Sequence, residues 1–458
     1  MGRSLDARFL PLETLDLWSE RFVLLSGMLG RLSSLSPLVS AGLVVLMSAA
    51  ASAQPPPWTP SGAKDFSYGS TVGQAGGSGT GWKPENKLFY TPDMRWWAVL
   101  GCASPSCGTQ SGSEGVYLYE LVNHAWVQRL QLPGADAWQK ADTIFDAASS
   151  ALYLSLRDNY SSSSNPRASY LYELSYHGAG SWTLTSGPTT ITTSSLETLS
   201  VALDSAGRLW ATWRQNKAMK IAYTQPGGTT FTVSTLSQTA ATGDDVSAVT
   251  AFGTLETGGK IGVVWSDQNA SSGNGLRFWF AWRNDSDPIG TWNREVAFGA
   301  GVGGCPTQTS NLCADDHINL KADGDDVYAV VKTSLNDPGN ASPTDPLVEL
   351  LHRDATGQWN DTTVSTVAVN GSRPILLLEP DTDSLYVFSE KNYQGIYLWQ
   401  SSLSSPSFGA APATWIVSGT SSIIDATSTR QVVTSSSGAV VEASRSGAYW
   451  HNELLPGS

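Results

Sequence analysis

The chain reads as all-β: a seven-bladed β-propeller whose last blade is closed by a strand from the N-terminal side. Three observations predict it. A strand–turn–strand unit recurs seven times, most clearly in DDHINLKADGDDVYAVVKTS from Asp315 to Ser334, where two apolar strands flank an Asp323-Gly324-Asp325 turn. Units continue into a second hairpin whose last strand starts near an aromatic: Trp126, Trp182, Phe231, Trp292 or Trp359. No segment carries helical periodicity, and a repeat of about 50 to 70 residues suits four-stranded blades with long loops.

The chain has 458 residues and a formal net charge of -13. Residues 38–47 (LVSAGLVVLM) are apolar but too short to span a bilayer. Ala51-Ser52-Ala53 follows, a small-residue cleavage pattern. Residues 1–53 therefore read as a signal peptide, with Met28 as an alternative start and Gln54 as the first mature residue. Four Arg and four acids fall in that segment, so the mature charge stays at -13. An acidic chain of this kind is a poor partner for nucleic acid or an anionic membrane. The expectation is a secreted monomer, extracellular or periplasmic.

Residues 54–82 form a Gly/Ser/Pro-rich lead-in with one strand near Phe66–Val72. The propeller takes residues 83–458. Its last unit shows three strands, at Gln431–Thr434, Ala439–Ser444 and Ala448–Leu454. The lead-in is expected to supply the fourth, since an open blade leaves a bare strand edge. Four cysteines allow three pairings. Proximity favours Cys102–Cys107 and Cys305–Cys313. No motif demands a cofactor. Calcium at the acidic turns Asp323–Asp326 and Glu379–Asp383 is the alternative to ordinary hairpin turns.

In a propeller the loop entering each inner strand and the loop leaving the second strand share one face. Aligning the units puts Glu85, Asp142, Glu197, Asp245, Asp316, Arg373 and Arg430 in one register at the entrances. His317 adjoins Asp316. Lys332 and Tyr393 lie at exits. Five acids and two neighbouring arginines are an asymmetric set, which points to one central site rather than seven equal ones. Crowded carboxylates raise one another's pKa, as acid–base work on a glycosidic bond requires. Paired arginines grip a carboxylate. His317, Asp316, Asp245 and Glu197 are thus the catalytic candidates. Arg373, Arg430, Asp142, Lys332 and Tyr393 are the substrate-binding ones. Ring closure by ion pairs explains the same residues without chemistry.

The hairpin LDSAGRLW from Leu203 to Trp210, and the repeat over residues 85–454, resemble secreted bacterial propellers of the sialidase-like superfamily. That resemblance implies glycosidases, or lyases of uronate-bearing polysaccharides that use His, Tyr and Arg on one face. The sequence lacks the Arg-Ile-Pro motif of true sialidases. The leading expectation is cleavage or binding of an acidic, uronate-bearing poly- or oligosaccharide. A non-catalytic carbohydrate-binding or adhesion module is the alternative.

Overall fold

The computed structural model describes residues 57–69, 79–81, 83–103, 107, 114–158, 168–194, 196–237, 244–268, 276–299, 303, 305, 313–337, 341–409, 411–419, 422–445 and 447–456. The expected signal peptide and most of the lead-in lie outside these residues. Seven four-stranded antiparallel sheets form a ring of blades. The innermost strands, in blade order, are Leu88–Tyr90, Lys140–Asp146, Ser200–Leu203, Ser247–Phe252, Ile318–Asp323, Gly371–Glu379 and Ile424–Thr427. Each packs against the next around the axis. No described helix is long and apolar enough to cross a membrane.

The turns show why the hairpins form. In blade 3, Asp204 Oδ1 accepts from the backbone N–H of Ala206 at 3.0 Å and of Arg208 at 2.8 Å. Its Oδ2 accepts from Trp210 Nε1 at 2.8 Å. Gly207 takes φ 76°, where a side chain is strained. One Asp therefore caps the turn and anchors the tryptophan that fills the blade. Trp210, Trp213 and Trp265 are fully buried between blades, so the two exit-side tryptophans pack rather than face solvent. Each such apolar side chain contributes about 1.5–3 kcal/mol by leaving water.

Ring closure comes from the lead-in. Strand Ala63–Ser67 pairs with Ala448–Leu454 and completes blade 7, with Ala63 opposite His451. It lies slightly before the expected Phe66–Val72. Leu88 N–H also donates to Ser428 O at 3.1 Å, which ties blade 1 to blade 7 at the axis. Both expected disulfides are present, Cys102–Cys107 and Cys305–Cys313.

Blade 7 departs from the sequence reading. Its inner strand is Ile424–Thr427, not Gln431–Thr434. The turn expected to follow an inner strand is here reached through a connector. Within it Thr429 makes an isolated bridge to Leu88, and Val433 N–H donates to Leu378 O at 2.9 Å. The register assigned to Arg430 belongs instead to Asp425.

Candidate functional site

Among the described residues, Arg430, Lys321 and Lys83 reach across the axis, and each has partners there. Arg430 reaches from blade 7 to Asp142 Oδ2 in blade 2 at 2.6 Å, and to Ser200 Oγ in blade 3 at 3.3 Å. Its Nη1 donates to Val249 O in blade 4 at 2.5 Å. Lys321 in blade 5 donates to Asn86 Oδ1 of blade 1 at 2.5 Å and to Thr429 O. Lys83, from the start of blade 1, meets Asp316 of blade 5, and Glu197 of blade 3 at 3.9 Å.

Burial sets the protonation of this layer. It pushes Asp142 up against the opposing pull of Arg430. It lowers Lys321 well below an ordinary lysine. It also lowers Lys83, with Glu197 and Asp315 pulling the other way. Asp142 further accepts from Asn86 N–H at 2.7 Å and Val201 N–H at 2.8 Å. Asp245 is fully buried and accepts from Ser266 Oγ at 3.2 Å and Gln268 N–H at 3.0 Å. Asp142, Asp245, Glu197 and Arg430 therefore serve the ring's own hydrogen bonds and ion pairs. Arg430 does not join Arg373 in one cavity, because its strand register was misassigned.

Beside the axis, between blades 5 and 6, a cavity of about 230 Å³ opens at the mouth. Four predicted residues line it: His317, Lys332, Arg373 and Tyr393, joined by Glu390. Asp316 stands behind, in contact with His317. The Nδ1 of His317 lies 2.9 Å from Asp315 Oδ1 and 2.6 Å from Asp316 Oδ1. Its Nε2 has no hydrogen-bond partner among the described residues. Burial, helped by Lys83, lowers His317 to about 4, so the imidazole is neutral at pH 7. With carboxylates at Nδ1, the proton sits there and Nε2 carries the lone pair. Burial alone would raise Asp315, but His317 and Lys332 overcome it and hold it ionised.

Arg373 is held by Glu390 and by Asp425 Oδ1 at 3.0 Å. Burial raises Glu390, opposed by Arg373. Asp425 is the residue that sequence reasoning missed. Nothing short of the correct strand register could have found it. Lys83 was missed because it sits on the boundary assigned to the lead-in.

Tyr393 is 55% exposed, one of few large hydrophobic side chains left open among the described residues. The Arg373 guanidinium lies 5.9 Å from its ring centre. Arg373 and Tyr393 have φ of 49° and 57°, in the left-handed region. Such backbone strain costs on the order of 1–3 kcal/mol per residue and clusters at functional sites. On its other side, Tyr393 walls a shallow hollow of about 430 Å³ with Tyr397 and Val417. The acidic turns hold their carboxylates internally: Asp325 with Lys260 and Thr257, Asp383 with Ser402 and Ser404.

No protein-family model and no curated protein matches the chain. Among solved structures it is similar to the BP39L lectin from Burkholderia pseudomallei, with 11% identity and a TM-score of 0.53 over 82% of this chain and 98% of that one. A polysaccharide lyase, an ulvan lyase, reaches a TM-score of 0.46 at 11% identity over 82% and 93%. An α-L-arabinanase from Penicillium chrysogenum reaches 0.45 at 11% identity over 77% and 99%. At such identities the lectin likeness carries the propeller fold and nothing finer, and the two lower scores carry no argument.

Proposed function

We propose that this protein binds a glycan at the mouth pocket between blades 5 and 6, with Tyr393 as the stacking platform. One observation carries the reading. The axis is closed by its own ion pairs, while one strained, exposed tyrosine divides a polar cavity from a shallow mixed hollow beside it. Sugar rings stack on such an aromatic face, and their hydroxyls suit a lining of mixed donors and acceptors. The lectin of similar fold fits this reading, as does the Asp204 turn for a sialidase-like kinship. Both disulfides fit an exported protein in an oxidising compartment.

Charge refines the ligand. Lys332 and Arg373 line the pocket, but Asp315, Glu390 and Asp425 already engage them. A uronate must compete with those acids, so neutral, hydroxyl-rich sugars are favoured over acidic ones. A glycan array with neutral and uronate-bearing panels tests this. Binding by the neutral panel, lost in Tyr393→Ala, supports it. Binding confined to uronates, or unchanged in Tyr393→Ala, counts against it.

A second reading has its own observation. The neutral His317, backed by two carboxylates, lines the pocket, and its buried Nε2 has no partner among the described residues, which suits a proton acceptor. Beside Arg373 and Tyr393 it suits proton abstraction next to a uronate carboxylate. Incubation with uronate polysaccharides, followed by the ultraviolet absorbance of unsaturated products, separates the two readings. Turnover abolished in His317→Ala establishes the lyase; no absorbance from any substrate leaves the binder.

A further inference from the structure

Apart from the residues that line the mouth pocket, Asp65, Glu442 and His451 gather on three adjacent strands of blade 7. Asp65 lies on the closing strand Ala63–Ser67, His451 on Ala448–Leu454 and Glu442 on Ala439–Arg445. His451 stands directly opposite both Ala63 and Glu442, which puts the imidazole and the two carboxylates on one face. Each residue offers a ligand atom, and these lie within 4.8 Å of one another.

The hydrogen bonding here is incomplete. His451 Nδ1 is 2.5 Å from Asp65 Oδ1, and Trp126 Nε1 donates to Glu442 Oε2 at 2.7 Å. Yet among the described residues Asp65 Oδ2, Glu442 Oε1 and His451 Nε2 are buried without a partner. Glu442 and His451 are fully buried. A carboxylate oxygen of Asp65 and one of Glu442 lie within 4.8 Å of each other. Two ionised carboxylates accept and cannot donate, so a proton or a cation must stand between them.

Two features favour a metal over a proton. The set mixes one imidazole with two carboxylates, the donor chemistry of zinc rather than of calcium, which takes oxygen alone. The surroundings also orient the ligands: the Trp126 indole fixes Glu442, and Trp58 stacks over His451 with ring centres 5.5 Å apart. Such outer partners are what hold metal ligands in place.

We infer that Asp65, Glu442 and His451 form a zinc-class divalent-metal site that clamps the closing strand to the last blade. Because Asp65 alone comes from the lead-in, metal binding there ties the two ends of the chain together. Binding that requires the closed ring stabilises the ring.

The test uses the whole purified protein. It is dialysed against a chelator, then given zinc, with metal content, thermal unfolding and hydrogen exchange followed. The site predicts about one zinc retained per chain after desalting, a higher Tm with zinc, and slower amide exchange confined to Ala63–Ser67 and its partner strand. Glu442→Gln and His451→Gln should lose the retained zinc and the Tm response, while Asp325→Asn, remote from the site, should keep both. Should either variant fail to fold, the wild-type comparison decides alone. Wild-type protein that retains no zinc and unfolds at the same temperature with or without it overturns the proposal and leaves a shared proton as the link between Asp65 and Glu442.

Discussion

On the axis of the ring, Arg430 ends in Asp142, a backbone carbonyl and a serine, with little of it open to water. In the pocket between blades 5 and 6, Arg373 is also paired, with Glu390 and Asp425, but it borders a cavity and an exposed tyrosine ring. The same residue type thus serves two ends. What separates them is the neighbourhood. The axial cation is surrounded by the inner strands of blades 2, 3 and 4. The off-axis one stands where two exit loops part. The difference teaches that a charged register at a propeller mouth marks ring closure first. A site has to be sought where an open aromatic accompanies the charge.

The largest expected effect breaks the axial side. Arg430→Ala leaves the buried Asp142 carboxylate without its cation, which typically costs about 3–5 kcal/mol. Urea unfolding measures this directly. A loss under about 1 kcal/mol would mean that the axial pair is dispensable and that Arg430 is free for ligands.

Much of this was legible in the sequence. Seven hairpins, their turn residues and the three-strand last unit pointed to the ring and to its closing strand, because strand period and turn chemistry are local. That His317, Lys332, Arg373 and Tyr393 share one face was also legible, since each adjoins a well-formed hairpin, and they line one cavity. Arg430 was misplaced because blade 7 interrupts its inner hairpin with a connector, and an alignment on turns cannot see that. Asp425 escaped with it, since it holds the register that Arg430 was given. Lys83 sits at the lead-in boundary, and its partners lie on blades across the axis, a long-range fact with no local signature.

A next effect concerns a buried acid on neither side of the comparison. Glu349 of blade 5 accepts from Thr363 Oγ1 at 2.7 Å and has no ion pair among the described residues. Burial pushes it up to about 8. It is therefore protonated in the fold, and its contribution is full below the ordinary carboxylate range. That contribution is lost as pH rises through about 8. Glu349→Gln should remove this dependence and stabilise the protein at pH 9 by up to roughly 4 kcal/mol, with little change at pH 4. Calorimetry at the two pH values checks it. Equal stability of variant and wild type at pH 9 would show that Glu349 finds a cation.

Smaller still is the platform. Tyr393→Ala should weaken glycan binding by about 0.5–1.5 kcal/mol, roughly 2- to 12-fold, with Tm unchanged, because the ring is half exposed. Isothermal titration reads this. A lower Tm with intact binding would make Tyr393 structural. Least of all should be the response to salt. Since the pocket cations are already paired, affinity for a neutral glycan should hold nearly constant from low to high ionic strength, whereas a steep fall would indicate net electrostatic attraction.

The most direct measurement is a crystal structure of the protein soaked with the tightest glycan from the array. The account predicts one sugar ring against Tyr393, with hydroxyls within hydrogen-bonding distance of Arg373 or His317, and no sugar on the axis. Density on the axis at Arg430, or equivalent sugars repeated between several blades, would contradict it.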